Sequence, residues 1–331
     1  MSCDYCFLDL NHGRATVIPE EAALKAVDAH LEKFGAEARF TILGGEPLIH
    51  FPVLRTIAGR VHAKAPKAPM SVVTNGTLAC PEKLSTLESL GVSVTVSLDG
   101  RGDAHDRHRK LAGGPGSSLE ESLKALEACD KSGLRANMVV CRDTVDSLLS
   151  NVEFLRETGF KELSFHLNVI EEWTPDELRV LEKTLAGFAR YYKALQAASP
   201  GALRLSHIDS YPETALEHGY EDVVLGADGR YYPCDGLFAL PYRQLDRWSV
   251  GDAASGVDWG KREDWHRVAR EFIHPRLERP GHFSCARETY FRSVVLNLDP
   301  DPVVRSFHAA DEIMGTALRA LGSSEAHAGP R

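Results

Sequence analysis

Hydrophobic and polar positions along the first 170 residues follow two periods in turn, one typical of strands and one typical of helices. Apolar and β-branched runs predict five strands, at residues 39–43, 70–74, 92–97, 135–141 and 162–168. Between these runs, apolar residues recur every three or four positions, as in Leu24, Val27 and Leu31, which predicts amphipathic helices. This alternation is typical of β/α units that close a parallel, barrel-like sheet.

The pattern changes near residue 200. Thr174 and Glu177 form a capping box that predicts a long helix ending near Ala198, and a Ser-Pro-Gly run then marks a boundary. Further on, residues 227–230 predict a hairpin turn, and helices are expected at 261–273 and 303–321. We therefore predict a β/α barrel domain at residues 1–200 and a smaller α+β module at residues 201–331.

Composition narrows the class of protein. Asp and Glu outnumber Lys and Arg by 47 to 38 among 331 residues, and the formal charge of -9 argues against a nucleic-acid partner. No apolar stretch approaches the roughly 20 residues needed to cross a bilayer, and no secretion signal is recognisable. We predict a cytoplasmic protein with no membrane partner. Its seven scattered cysteines favour metal binding over a disulfide framework.

The N-terminus carries a C-x-x-C pair, Cys3 and Cys6, with Tyr5 between its members. This spacing alone is compatible with a zinc knuckle, a redox pair or part of an iron–sulfur site. A zinc ribbon would need a second C-x-x-C, which the sequence lacks, and a redox pair should follow a strand and open a helix. The three remaining cysteines of the barrel region, Cys80, Cys129 and Cys141, are interpreted as small buried hydrophobes.

Polar motifs follow three of the predicted strands, at the end where a β/α barrel places its working residues. They are LGGEP at residues 43–47, VTNG at 73–76 and SLDG at 97–100, the last followed by His105, Asp106 and Arg109. Each has a simpler interpretation: two of the motifs are turn signals, and His105 and Asp106 can merely fix a loop. The glycine-rich segment 113–118 lacks the G-K-[ST] of a phosphate loop and is interpreted as structural, with a serine capping the next helix.

Taken together, and in this order, the motifs resemble the radical S-adenosylmethionine (SAM) superfamily, with its C-x3-C-x-[aromatic]-C loop and its glycine-glycine-glutamate-proline motif. The SLDG-x4-HD-x2-R run is more specifically similar to the peptide- and protein-modifying branch that includes the anaerobic sulfatase-maturating enzymes. The resemblance covers residues 1–170. It implies an α/β fold, a partial (β/α)6 TIM-like barrel lacking its first strand in this chain, with a smaller α+β C-terminal extension.

The resemblance also implies the cofactors. A [4Fe–4S] cluster held by three thiolates leaves one iron open for the methionine amine and carboxylate of S-adenosylmethionine. Reductive cleavage of the sulfonium then gives a 5'-deoxyadenosyl radical that abstracts a substrate hydrogen, with the electron supplied by an external donor such as flavodoxin or ferredoxin. Cys3 and Cys6 match the second and third cluster ligands, and Tyr5 matches the aromatic residue near the adenine.

Further residues are assigned to cofactor binding by the same resemblance. Gly44, Gly45 and Glu46 match the backbone turn and the carboxylate that meet the methionyl amine, where glycines allow close approach of the backbone. Ser97 and Arg109 match hydrogen-bond donors near the methionyl carboxylate and ribose. The expected set is completed by the strand-end residues Asn75 and Asp99.

The sequence departs from the family pattern at both ends. The first cluster cysteine should lie four residues before Cys3, so we expect the chain to be truncated, with real loss of the cluster as the alternative. The C-terminal segment resembles a reduced SPASM or twitch-like module in which only Cys234 and Cys285 remain, so auxiliary clusters are expected to be absent or incomplete. His218 and His282 could substitute, although surface histidines are the simpler interpretation.

Asp235 matches an acid proposed to deprotonate the substrate in sulfatase-maturating enzymes, and its alternative is a turn aspartate beside a hairpin. We thus predict a radical SAM enzyme that modifies a peptide or protein substrate. A small-molecule radical SAM enzyme and a non-catalytic, degenerate barrel that binds a peptide or partner are the alternatives.

Overall fold

The structure is a computed structural model of the chain that describes residues 1–6, 8, 17–168, 170–206, 223–240, 245–273 and 300–322. The candidate residues His218, His282 and Cys285 lie outside the described residues. The helices are α1 (Glu20–Phe34), α2 (Phe51–Lys64), α3 (Pro81–Ser89), α4 (Gly102–His108), α5 (Ser118–Ala125), α6 (Leu148–Glu157), α7 (Pro175–Ala198), α8 (Trp259–Ile273) and α9 (Pro300–Gly322).

The strands are β1 (Ser2–Cys3), β2 (Phe40–Ile42), β3 (Met70–Thr74), β4 (Val92–Ser97), β5 (Arg109–Lys110), β6 (Arg135–Val140), β7 (Glu162–Leu167), β8 (Arg204–Leu205), β9 (Val224–Leu225), β10 (Tyr231–Tyr232), β11 (Gly251–Asp252) and β12 (Gly256–Val257). Six of them form a sheet in the order β2-β3-β4-β6-β7-β8, with parallel pairing of β2 to β3, β3 to β4, β6 to β7 and β7 to β8. The α/β class is confirmed, and the five predicted strands are all present.

The chain folds as two compact units. The first consists of residues 1–97, 109–130 and 221–269, and the second of residues 98–108, 131–220 and 270–331. Each unit thus takes residues from both sides of position 200, where the sequence predicts a domain boundary. That boundary stays a prediction.

In the first unit, β2, β3 and β4 lie side by side, and most buried positions of β3 and β4 are apolar, as at Val72, Val94 and Val96. Helix α1 ends at Phe34, and the next residue, Gly35, has a left-handed φ of 56°. The N-terminal segment contains the short strand β1, which pairs antiparallel with β5. The predicted hairpin is formed by β9 and β10, with Gly229 at a φ of 77° in its turn.

In the second unit, β6 and β7 present a buried apolar face and a more open polar face. The pairing places Arg135 beside Glu162 and Asn137 beside Ser164, and both pairs are hydrogen-bonded at 2.6 Å. Helix α7 begins with the predicted capping box, in which the Thr174 hydroxyl and the backbone N–H of Glu177 are partners and the Glu177 carboxylate accepts from the Thr174 N–H. The sequence does not predict the short strand β8, because two residues are too few to show the alternation of apolar and polar positions that is typical of a strand.

No helix in the described part of the chain is long and apolar enough to span a membrane.

Candidate functional site

The cysteine loop is fixed against β5. Cys3 pairs with Arg109 across the β1–β5 ladder. The Cys6 N–H donates to the Cys3 carbonyl at 3.1 Å, so that both cysteines belong to one tight turn. Tyr5, which lies between the two cysteines in the sequence, is buried. The Arg109 guanidinium carbon lies 5.2 Å from the centre of the Tyr5 ring, within cation–π distance. Neither cysteine is in a disulfide. The structure therefore brings four of the predicted residues together.

Glu46 connects the ends of β2 and β3. Its Oε1 accepts hydrogen bonds from the Thr74 hydroxyl at 2.6 Å and the Leu48 N–H at 3.0 Å, and its Oε2 accepts from the Asn75 N–H at 2.8 Å. A carboxylate has about four acceptor positions, so three donors leave room for one more. The carboxylate thus has a structural role in the fold beside any part in binding.

The glycines near this carboxylate differ in what the fold requires of them. A Cβ at Gly76 would lie 2.9 Å from Val96, and its φ is 83°, so the turn after Asn75 needs a glycine. Asn75 closes that turn by accepting from the Thr77 N–H at 2.9 Å. By contrast, a Cβ at Gly44 would meet nothing within 4 Å, and its φ is not left-handed. Gly44 and its exposed neighbour Gly45 therefore leave open backbone where a ligand can approach.

Helix α5 links the two parts of this site through buried serines that sequence analysis did not select. The Ser118 hydroxyl donates to the Arg109 carbonyl, and the Ser122 hydroxyl lies 2.9 Å from the carbonyls of Asn75 and Ser118. Both serines are fully buried and lie four residues apart on one helix face. That spacing of small polar residues in an otherwise amphipathic helix is the signal that could have identified them.

Ser97 ends β4 with a half-buried hydroxyl. Within the part of the chain that the structure describes, this hydroxyl has no hydrogen-bond partner, in contrast to Thr74 at the end of the neighbouring strand β3. A hydroxyl can both donate and accept, so Ser97 is able to bind a polar ligand at the carboxyl end of the sheet.

Asp99 belongs to the second unit and is almost fully buried. Its Oδ1 accepts from the Val139 N–H at 2.9 Å, and its own N–H donates to Nδ1 of His105 at 3.2 Å. Gly100 follows with a φ of 124°, and a Cβ there would lie 2.3 Å from Asn151. The turn at Asp99 and Gly100 is therefore tightly built. The contacts of Asp99 and His105 orient this loop, and both side chains are buried away from solvent.

Asp235 lies beside the β9–β10 hairpin in the first unit, at the start of a short 3-10 helix, Asp235–Ala239. The preceding residue, Cys234, is buried, and its sulfur accepts from the Gly236 N–H at 3.3 Å and lies 3.7 Å from Asp235 Oδ1. The aspartate is half-buried. This position agrees with either expected role, as a base or as a turn residue.

A further group in the second unit was not predicted. His108, Cys141 and Asp143 bring a nitrogen, a sulfur and an oxygen within 4.8 Å of one another. Burial strongly raises the pKa of the Cys141 thiol, with smaller contributions from the negative charges of Glu171 and Asp99. Burial also acts to raise the pKa of Asp143, but hydrogen bonds from His108 and Arg107 outweigh it, so that this pKa lies below its usual range. No sequence pattern indicates this group, because α4 and the loop after β6 meet only in the fold.

The fold is of the α/β class, and its polar strand-end motifs follow the carboxyl ends of parallel strands, where such folds place their working residues. Residues 1–155 match the model of the "Radical SAM superfamily". A cysteine-type anaerobic sulfatase-maturating enzyme of Clostridium perfringens is 24% identical over 325 residues, which cover 88% of this chain and 83% of the relative. The N-terminal part of the chain is thus similar to the radical SAM superfamily, and the chain over most of its length is similar to an anaerobic sulfatase-maturating enzyme.

Solved structures agree with this assignment at the level of the fold. Native anSMEcpe with bound AdoMet has a TM-score of 0.74 at 20% identity, and the match covers 98% of this chain and 96% of that one. The same protein with bound AdoMet and the Cp18Cys peptide has a TM-score of 0.73 at 19% identity, with coverage of 98% and 96%. The match of residues 1–155 to this family model implies S-adenosylmethionine and an iron–sulfur cluster as cofactors.

Proposed function

We propose that the protein binds a [4Fe–4S] cluster at the N-terminal turn, reductively cleaves S-adenosylmethionine there, and modifies a peptide or protein substrate. The observation that carries this proposal is the β1–β5 pairing. It holds the cysteine turn, the Tyr5 ring and the Arg109 guanidinium in one place. A thiol pair that served only a structural zinc would not need an aromatic ring and a buried cation beside it.

Cys3 and Cys6 are proposed as two of the three cluster ligands. Cysteine is the usual ligand of such clusters, and the two thiols of one turn fit two of its corners. The third thiolate lies outside residues 1–6. When bound, the cluster and S-adenosylmethionine together supply one-electron cleavage of a C–S bond and a 5'-deoxyadenosyl radical.

The strand-end residues are proposed to bind the methionyl and ribosyl parts of S-adenosylmethionine. Glu46 has acceptor capacity left for the methionyl amine, and the open backbone of Gly44 and Gly45 allows that amine to approach. The Ser97 hydroxyl and the Arg109 guanidinium are donors suited to a carboxylate and a ribose. Asn75 and Asp99 are included in the binding set, and their contacts in the fold favour a supporting role through the turns that they close.

A peptide substrate is supported by the relatives, since a solved structure of similar fold contains a bound peptide. Asp235, half-buried after the hairpin, is proposed to accept a proton from that substrate. The electron that initiates cleavage is proposed to come from a flavodoxin or ferredoxin.

The test supplies a third thiolate. The chain is extended at its N-terminus so that a cysteine stands four residues before Cys3, and the matched control has alanine at that position. After anaerobic reconstitution, we expect the cysteine form to bind about four irons and, when reduced with dithionite, to convert S-adenosylmethionine to 5'-deoxyadenosine. Within that form, Cys3→Ser and Cys6→Ser are expected to abolish both properties, whereas Cys80→Ser, outside the turn, should leave both unchanged.

Two results would overturn the proposal. One is equal iron uptake by the cysteine and alanine forms, because the cluster would then not use this turn. The other is a fully loaded cysteine form that does not cleave S-adenosylmethionine, which would favour a non-catalytic barrel.

A further inference from the structure

Three side chains with metal-binding atoms converge in the second unit, at residues to which the proposed function assigns no role. Nε2 of His108 lies 2.9 Å from Oδ1 of Asp143, and Sγ of Cys141 lies within 4.8 Å of both side chains' ligand atoms. Among the described residues, these three form the group of three or more His, Cys, Asp or Glu side chains whose ligand atoms all lie within 4.8 Å of one another. Nitrogen, sulfur and oxygen donors together are the ligands that zinc takes in proteins.

The sulfur is held rigidly. Cys141 directly follows β6 and is fully buried, and the Thr144 hydroxyl lies 3.2 Å from both its backbone N–H and its carbonyl. The side-chain amide of Asn168 lies 3.6 Å from the sulfur. A ligand atom fixed in this way does not lose much further freedom when a metal binds.

The other two groups are accessible and adjustable. The His108 side chain is 15% exposed and the Asp143 side chain is 42% exposed, so a cation can reach them from solvent. With metal–ligand distances of about 2.0–2.3 Å, the ligand atoms of a tetrahedral zinc lie roughly 3.3–3.8 Å apart. His108 and Asp143 would therefore need to separate by only about half an ångström.

Charged side chains of both signs surround this point. Arg107 binds the other oxygen of Asp143, Oδ2, at 3.1 Å, which orients the carboxylate and leaves Oδ1 directed at His108. On the other side, the carboxylates of Asp99 and Glu171 act on the thiol of Cys141. The Glu171 carboxylate accepts the Arg142 N–H at 2.8 Å and is itself largely enclosed by protein.

We propose that His108, Cys141 and Asp143 bind a divalent transition-metal cation of the zinc type, with three protein ligands and a fourth position left for water. The site is at the carboxyl end of β6, the end of a β/α sheet where ligands bind. The competing interpretation is a surface ion network of Arg107, His108 and Asp143 next to an unrelated buried thiol.

The experiment is a Co²⁺ titration in the full chain. The starting protein has Cys3→Ser and Cys6→Ser, so that neither the proposed cluster nor its thiols contribute, and failure here leaves the proposed function untouched. We expect one equivalent of Co²⁺ to bind, with the near-ultraviolet band of a thiolate-to-cobalt charge transfer. Cys141→Ser should remove that band, and His108→Gln and Asp143→Asn should each weaken binding by about tenfold or more.

The matched control is Cys129→Ser, which also places a hydroxyl at a buried cysteine but at a different position in the fold. It should retain the band and the affinity. Thermal unfolding of each variant verifies folding, and His108→Gln, at a partly exposed side chain, provides a test even if Cys141→Ser does not fold. The proposal is rejected if Co²⁺ does not bind the starting protein with a thiolate band, or if that band survives in Cys141→Ser.

Discussion

Glu46 Oε1 lies 2.6 Å from Oγ1 of Thr74, and this hydrogen bond joins the loop after β2 to the last residue of β3. The Thr74 side chain is buried, so its hydroxyl depends on this partner. The same oxygen also accepts the Leu48 N–H. One carboxylate thus fixes the relative position of two strand ends before any ligand binds.

Glu46→Gln should destabilise the protein, because an amide presents one acceptor oxygen where the carboxylate presents two. At least one of the donors from Thr74, Leu48 and Asn75 would lose its partner, and we expect a loss of about 1–3 kcal/mol in the free energy of unfolding. Urea unfolding measures this. Glu182→Gln, at an exposed position of α7, is the control and should change the unfolding free energy by less than about 0.5 kcal/mol.

Gly44→Ala should separate folding from cofactor binding. A Cβ at this position meets nothing within 4 Å, so the unfolding midpoint is expected to stay within about 0.5 kcal/mol of the wild type. In the reconstituted protein with the added cysteine, the affinity for S-adenosylmethionine should fall by about tenfold or more, because the methyl group fills the open approach. Unchanged affinity would show that no ligand contacts this backbone.

Gly100→Ala is expected to be among the most damaging single substitutions in the chain. The new Cβ would lie 2.3 Å from Asn151 at a φ of 124°, and an L side chain is strained at that φ. The buried amide of Asn151 accepts the Arg101 N–H and cannot easily move aside. We expect a loss of about 3 kcal/mol or more, measured by urea unfolding, whereas Gly44→Ala provides the unstrained comparison.

Glu162 gives the second unit a defined dependence on pH. Burial acts to raise the pKa of its carboxyl, but hydrogen bonds from Arg135 and Arg204 outweigh burial and leave this pKa below its usual range. A carboxyl with a lowered folded-state pKa adds stability above its unfolded pKa of about 4.3 and loses it as the pH falls through the folded value. Glu162→Gln should therefore cost about 1–3 kcal/mol at pH 7, and the difference from wild type should shrink below about pH 4. Parallel stability curves across this range would contradict the ion-pair explanation.

Asp235→Asn tests the proposed proton acceptor. With the extended, reconstituted protein and the Cp18Cys peptide as probe, we expect cleavage of S-adenosylmethionine to continue while modification of the peptide, followed by mass spectrometry, falls by about 10²-fold or more. Asp228→Asn, in the neighbouring hairpin turn, is the matched control, since its carboxylate accepts from the Tyr232 hydroxyl at 2.6 Å. Equal effects of the two substitutions would identify Asp235 as a turn residue.

Sequence reasoning succeeded where the signal is local. The capping box of Thr174 and Glu177 and the hairpin turn at Gly229 are confirmed because a few neighbouring residues specify each of them. It failed where the relationship is distant, as with the two-residue strand β8. Ser118 and Ser122 were missed for the same reason, since their partners Arg109 and Asn75 lie in other segments.

The strand-end motifs predicted which residues gather at the site, but not what each contact does. Glu46 and Asn75 were expected as ligand-binding residues, and the fold uses both of them to close its own turns. A motif reports the residue types at one place. It does not report how many of their hydrogen-bonding positions the protein itself occupies.

The interleaving of the two compact units has a consequence for biosynthesis. The first unit needs residues up to 269, so the thiols of Cys3 and Cys6 leave the ribosome long before the structure around them is complete. At about 5–20 residues per second, that interval is roughly 13–50 s. For the first roughly 5–20 s of it, until residues 109–110 have been synthesised, the nascent turn has no β5 partner, and oxidants and metal ions in the cell can react with both thiols. Conditions in the cell that keep both thiols reduced and free of other metals during translation would then determine how much protein can later bind the proposed cluster.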